Sequence, residues 1–252
     1  MAKVVAFANQ KGGVAKTTTT INLGVAFKEL GYRVLAVDMD PQGNLTMSLG
    51  LNPDDVRPSM YDVLVSGVPI EEAVFHREID LAAASIDLAA VEIALSSLIG
   101  RERVLSKALM PMRDEYDYIL IDTPPSLGLL TINALTASDA VIVPVQCEYL
   151  SLRGLAQLER TLELVRENLN PGVHIAGIVP TMYDARTVHG REAVEVLRSS
   201  FGDLVFETTI VKTIKFPEAP VKGESVLKYA PESSAAQAYR QLAREVLNGK
   251  KI

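Results

Sequence analysis

Tryptophan is absent from the 252 residues, cysteine occurs once (Cys147) and histidine three times (His76, His174, His189). One cysteine can neither staple a disulfide-stabilised fold nor ligate an iron–sulfur cluster. The three histidines are scattered without metal-ligand spacing. No apolar run reaches the roughly 20 residues that span a membrane, and no G-x-S-x-G elbow of a serine hydrolase is present. Met1-Ala-Lys-Val-Val leads straight into a strand-like segment without the long apolar region of a secretory leader, so a cytoplasmic chain is expected. Excess positive charge is missing as well, with 25 Lys and Arg against 31 Asp and Glu, net −6. The balance is uneven, because Leu204–Ile252 holds eight basic and five acidic residues, net +3, and the rest carries −9. That basic fifth admits two readings, a surface facing a polyanion or lysines on solvated helix faces.

What is present is a 48% apolar composition, which excludes disorder and suffices for one α/β domain over residues 1–252. Short runs rich in Val and Ile, at Val4–Ala8, Val34–Val37, Ile119–Ile121, Val141–Val145 and Ile175–Val179, read as strands buried on both faces. Helix-period segments lie between them, at Ile21–Leu30 (closed by Gly31), Ile86–Met110 and Leu155–Asn168, with a further helix at Ala235–Leu247. Apolar strands alternating with helices predict a mostly parallel sheet with helices on both faces. Such a sheet binds its ligand in the loops beyond the strands' C-terminal ends.

The first such loop is Asn9-Gln10-Lys11-Gly12-Gly13-Val14-Ala15-Lys16-Thr17-Thr18, which enters a helix. Backbone N–H groups of a glycine-bearing turn, with the helix dipole, form a cradle for phosphate. Lys16 is spaced to reach β/γ-phosphates and the Thr17 hydroxyl to bind Mg²⁺. The generic G-x-x-x-x-G-K-[ST] pattern is not met, because Gln10 and Ala15 occupy its outer glycine positions. Two more strand ends carry carboxylates, in Asp38-Met39-Asp40-Pro41-Gln42-Gly43-Asn44 and in Asp122-Thr123-Pro124-Pro125-Ser126. Mg²⁺ keeps several waters and takes few protein ligands, so Thr17 with Asp40 and Asp122 is a sufficient set.

These motifs resemble the ParA/MinD family of deviant-Walker ATPases, most closely the chromosomal ParA (Soj-type) partition ATPases. The family loop K-G-G-x-x-K-[ST] is matched by Lys11–Thr17, its first switch by Asp40–Asn44 and its second carboxylate motif by Asp122–Ser126. Later blocks are similar at Pro144–Tyr149, Thr181–Thr187 and Glu218–Pro220, so the likeness covers nearly the whole chain. It implies a single-domain P-loop NTPase fold and a slow, partner-stimulated ATPase that closes into a homodimer around two Mg-ATP. In that dimer Lys11 would cross to the partner's phosphates, and Asp40 would orient the attacking water with Asp122 near the metal. Residues Lys11, Gly12, Gly13, Val14, Ala15, Lys16, Thr17 and Thr18 would cradle the phosphates, and the segments around Met182 and Pro217 would meet the adenine.

By the same resemblance, non-specific double-stranded DNA would be held by Arg186, Lys212 and Lys215, helped by Lys222, Lys228 and Lys251. A ParB-like centromere-binding protein would be the partner, in chromosome or plasmid partition at the nucleoid, without stable membrane association. Two other readings stay open, a slow or non-catalytic nucleotide-switched DNA-binding regulator or scaffold and an ATPase positioning another cargo. Two departures stand out. Many relatives carry glycine at the position of Ala15, and they usually place proline and two arginines at Val211, Lys212 and Lys215.

Overall fold

Residues of β1 (Lys3–Phe7), β2 (Val34–Asp38) and β5 (Tyr118–Asp122) are small or branched and apolar along almost their whole length, as strands covered on both faces require. The computed structural model describes residues 1–147 and 151–249. With β3 (Val74–His76), β4 (Asp80–Ala82), β6 (Ala140–Gln146) and β7 (His174–Thr181) these strands form one sheet in the order β3-β4-β2-β5-β1-β6-β7. Every neighbouring pair is parallel except β3 with β4.

Strand alternation sends Val4 and Ala6 into one apolar cluster and Val5 and Phe7 into the other. The first cluster is completed by the helices Leu129–Ala137 and Ser151–Asn168, through residues such as Leu135, Leu158 and Leu162. The second is completed by the helices Lys16–Glu29 and Ser234–Asn248, through Leu23, Phe27, Tyr239 and Leu242. The mostly parallel sheet with helices on both faces is therefore found as the sequence predicts.

The expected helix over Ile86–Met110 is not continuous. It breaks into a 3₁₀ turn (Ile86–Ala90), a single α-turn (Val91–Ala94), a second 3₁₀ turn (Arg101–Arg103) and the short helix Val104–Ala108. The apolar residues do have helical spacing, but Leu88, Val91 and Leu95 are buried on one side of the break and Leu105 and Leu109 on the other. Between them Gly100 adopts φ 75°, and Ile93 and Ile99 are left 80% and 98% exposed. The helix Lys16–Glu29 also starts five residues before the expected Ile21, because its first turn belongs to the phosphate loop. Glu148, Tyr149 and Lys251, which the sequence reading used, lie outside the described residues.

Candidate active site

Parallel pairing aligns the tips of three adjacent strands: Phe7 is in register with Asp122, and Asp122 with Asp38. The loop leaving β1 therefore runs directly over the two acidic tips. It is held from behind by buried Asn9, whose Nδ2 donates to Pro144 O at 2.8 Å while its Oδ1 accepts from Lys11 N at 3.0 Å. Gly13 and Ala15 both take positive φ, 70° and 71°. Left-handed residues alternating with right-handed ones turn successive N–H groups to one side and build an anion-binding nest. Gly12 and Gly13 form its exposed rim, whereas Val14 is buried.

Ala15 makes this turn without the freedom of glycine, at a conformational cost of about 1–2 kcal/mol. Part of that returns on substitution by glycine, whose unfolded chain is more flexible. Ala15→Gly should thus stabilise the protein by about 1 kcal/mol, read as a thermal midpoint about 2–4 °C higher for a chain of this size. A lower midpoint would show that the left-handed Ala15 is not strained.

Beneath the loop, Thr17 Oγ1 donates to Asp122 Oδ2 at 2.6 Å. Asp122 is fully buried, and its Oδ1 has no hydrogen-bond partner among the described residues. Burial, and next the Asp38 carboxylate beside it, push the Asp122 carboxyl well above the ordinary range, against the Thr17 bond and the Lys16 charge. Lys16 is 7% exposed. Desolvation draws its ammonium below the usual lysine value, opposed by the charges of Asp122 and Asp40. Burial likewise pushes Asp38 up to about 6.

A donated Thr17 proton leaves that hydroxyl's lone pairs free for a cation, and the orphaned Asp122 oxygen can accept from a metal-bound water. The residues present therefore fit a hydrated Mg²⁺ held mainly by a phosphate ligand. Among the described residues, no group of three or more His, Cys, Asp or Glu is arranged to hold a metal ion by itself.

Asp40 occupies the first turn after β2. Its N–H donates to Asp38 Oδ1 at 3.1 Å and its own Oδ1 accepts from Gln42 N at 3.0 Å. Asp38 was not singled out in the sequence, yet it anchors this loop: Oδ2 accepts from Thr46 N at 2.9 Å and from Thr46 Oγ1 at 2.7 Å. The only signal for it was its place in the same Asp-x-Asp strand end. Asn9 and Thr181 were also missed as loop supports, since Asn and Thr at strand ends give no distinctive pattern.

The structure brings Lys16, Thr17, Asp40 and Asp122 together. Met182, with φ 53°, follows the tip of β7 and leads into Tyr183, which pairs with Val211. Pro217 lies further on, exposed in the helix Lys215–Val221. The basic residues fall into two groups. Arg186 is bonded to Asp184 at 2.8 Å near Lys212, whose charge acts on the same carboxylate. Lys215 pairs with Glu218 at 2.9 Å and Lys228 with Glu224 at 3.0 Å, beside the exposed Lys222.

Comparison with known proteins agrees with this geometry. The AAA domain family matches residues 2–175. The sporulation initiation inhibitor protein Soj of Bacillus subtilis is 48% identical, covering 98% of both chains. The chromosome partitioning protein ParA of Caulobacter vibrioides is 46% identical, over 98% of this chain and 94% of its own. Among solved structures, cobyrinic acid a,c-diamide synthase from Mycobacterium smegmatis with bound ADP and magnesium superposes with a TM-score of 0.87 at 42% identity, over 98% of this chain and 95% of the other. No helix among the described residues is long and apolar enough to cross a membrane. The chain belongs to the ParA/MinD family of P-loop ATPases.

Proposed function

We propose that the protein is a partition ATPase that binds Mg-ATP, closes into a homodimer and, in that form, coats double-stranded DNA at the nucleoid without sequence preference. The observation that carries this reading is the Thr17–Asp122 pair beneath a doubly left-handed phosphate loop, with Asp40 on the neighbouring strand tip. Loop N–H groups from Gly12 to Thr18 and the Lys16 ammonium hold the triphosphate. Thr17, with Asp122 and Asp40, would hold Mg²⁺, which when bound would supply positive charge to the phosphates. Asp40 orients the attacking water, and Lys11, reaching from the facing copy, stabilises charge on the transferring group. A ParB-like partner with a basic segment suits the net acidic body, and hydrolysis releases the DNA. The segments around Met182 and Pro217 are assigned to the adenine.

A route from switch to DNA surface supports the reading. The short helix Asn44–Ser48, which follows Asp40, is capped by Leu49, and the next residue, Gly50, lies against Gly223 so closely that a Cβ on Gly223 would stand 3.0 Å from the Gly50 Cα. Gly223 directly follows Lys222, so a displacement of the first switch would press, backbone to backbone, on the turn between Lys222 and Lys228. The ion pairs of Arg186, Lys215 and Lys228 are solvent-exposed and weak, and phosphates can replace their carboxylates.

DNA affinity should therefore require ATP and fall steeply with salt. The joint change Lys212→Ala and Lys215→Ala should reduce the slope of log affinity against log salt by about 2 per protomer, since each phosphate contact contributes about 0.9. Gel shifts at several salt concentrations, with and without ATP, check this. Equal binding without nucleotide would contradict it.

The structural likeness to an amide synthase raises a second chemistry. A thiolate nucleophile for such chemistry would have to come from the only cysteine, Cys147, which is 8% exposed with its thiol pushed up to about 12 by burial. The partition reading is the better supported one.

A further inference from the structure

The Val14–Ala15 peptide is held by a side chain that lies far away in sequence. Thr181, fully buried at the end of β7, donates its Oγ1 proton to Val14 O at 3.0 Å. Its own carbonyl accepts from Cys147 N at 3.0 Å, so its backbone is anchored to the end of the neighbouring strand. A trans peptide places its carbonyl and its N–H on opposite sides of one plane. Holding Val14 O against the end of β7 therefore aims Ala15 N–H the other way, away from Thr181.

The next carbonyl is fixed from the opposite flank. Ala15 O accepts from Thr19 N at 2.9 Å and from Thr19 Oγ1 at 2.7 Å, and Thr19 Oγ1 meets the buried Tyr239 hydroxyl at 3.2 Å. Ala15 is thus held in its left-handed conformation from both sides, by side chains that no phosphate can touch.

We infer that Thr181 is a positioning residue for nucleotide binding, whose hydroxyl holds the Val14 carbonyl and thereby keeps the Ala15 N–H aimed at phosphate. The inference rests on the reading of this loop as a triphosphate cradle. Because Thr181 is followed by Met182, it also ties the phosphate loop to the segment assigned to the base. Without the hydroxyl, Val14 O loses its anchor and the left-handed Ala15 can relax, so the cradle loses one aimed donor.

Thr181→Val keeps shape and strand preference and deletes only the hydrogen bond, whereas Thr181→Ser restores the hydroxyl. The dissociation constants of Mg-ATP and of inorganic tripolyphosphate, together with the rise in thermal midpoint that each ligand produces, are measured on the full chain. Thr181→Val should weaken both ligands about five- to tenfold, as loss of one net hydrogen bond implies, and shrink both midpoint shifts. Thr181→Ser should stay within about twofold of the wild type, since it keeps the donor.

If Thr181→Val does not fold, Thr181→Ala is compared with Thr181→Ser under the same expectation. A variant that lowers the ligand-free midpoint but leaves both affinities within about twofold of wild type would overturn the inference, making Thr181 a purely structural contact. Weakening of ATP with tripolyphosphate unaffected would overturn it too, because the effect would then act through the base. Failure of the wild-type chain to bind either ligand would count against the triphosphate reading itself, a result distinct from a bound wild type with an unaltered valine variant.

Discussion

Replacing Lys16 with alanine should weaken Mg-ATP binding by about 100-fold or more, as expected from losing a charged hydrogen bond worth about 1.5–3 kcal/mol and the compensation of nearby carboxylates. Lys16 is buried at the start of its helix, and its charge opposes those of Asp122 and Asp40. With alanine there, a triphosphate would enter beside two acidic groups with no ammonium between them. Burial disfavours the lysine's charge, so arriving phosphates meet a cation already stripped of water, and the interaction is stronger than at an open surface. Isothermal titration calorimetry on wild type and Lys16→Ala measures the ratio directly. An affinity within about threefold of wild type would mean that Lys16 does not face the phosphates.

Asp40→Ala should separate binding from turnover. The first switch is tethered by Asp38, which holds Asp40 N and both Thr46 N and Thr46 Oγ1, and this framework does not need the Asp40 side chain beyond its bond to Gln42 N. The loop should therefore persist and ATP affinity should stay near wild type. Hydrolysis should drop by about 10²–10⁴-fold, the usual contribution of a positioned acid–base group, leaving an ATP-bound dimer that does not reset. Single-turnover phosphate release tests this, and a rate within about threefold of wild type would remove Asp40 from the water-orienting role.

The parts of the site that were legible in the sequence are those whose chemistry is local. A glycine-bearing turn before Lys-Thr, and carboxylates at the ends of apolar strands, carry their meaning in a few consecutive residues. The five longer strands were legible for a similar reason, as continuous burial leaves a continuous apolar run.

What was not legible depends on distant partners. Nothing in the word Pro-Thr-Met reveals that Thr181 reaches Val14, 167 positions away. Asp38 reads as a strand end until Thr46 folds back onto it. The strands Val74–His76 and Asp80–Ala82 are three residues each, too short for a period to show. The segment Ile86–Met110 misled because helical spacing records burial and not continuity. Its Glu92 instead reaches across to accept from Leu129 N at 2.8 Å, beside the loop that follows Asp122.

Ala15 is the departure from the family pattern with the clearest structural outcome. The left-handed turn is present with alanine in place of glycine, so the loop's shape comes from its surroundings more than from glycine's freedom. In the proposed DNA contact, Lys212 and Lys215 would supply charge without arginine's bidentate fork, as sequence-independent contact with phosphates allows.

The central claim is that a triphosphate in this loop joins two copies of the chain. Light scattering coupled to size-exclusion chromatography, on wild-type protein with Mg²⁺ and millimolar ATP and again with ADP, measures it most directly. The account predicts twice the monomer mass with ATP and the monomer mass with ADP, with Lys16→Ala monomeric in both. A wild-type chain that remains monomeric at saturating ATP would contradict it.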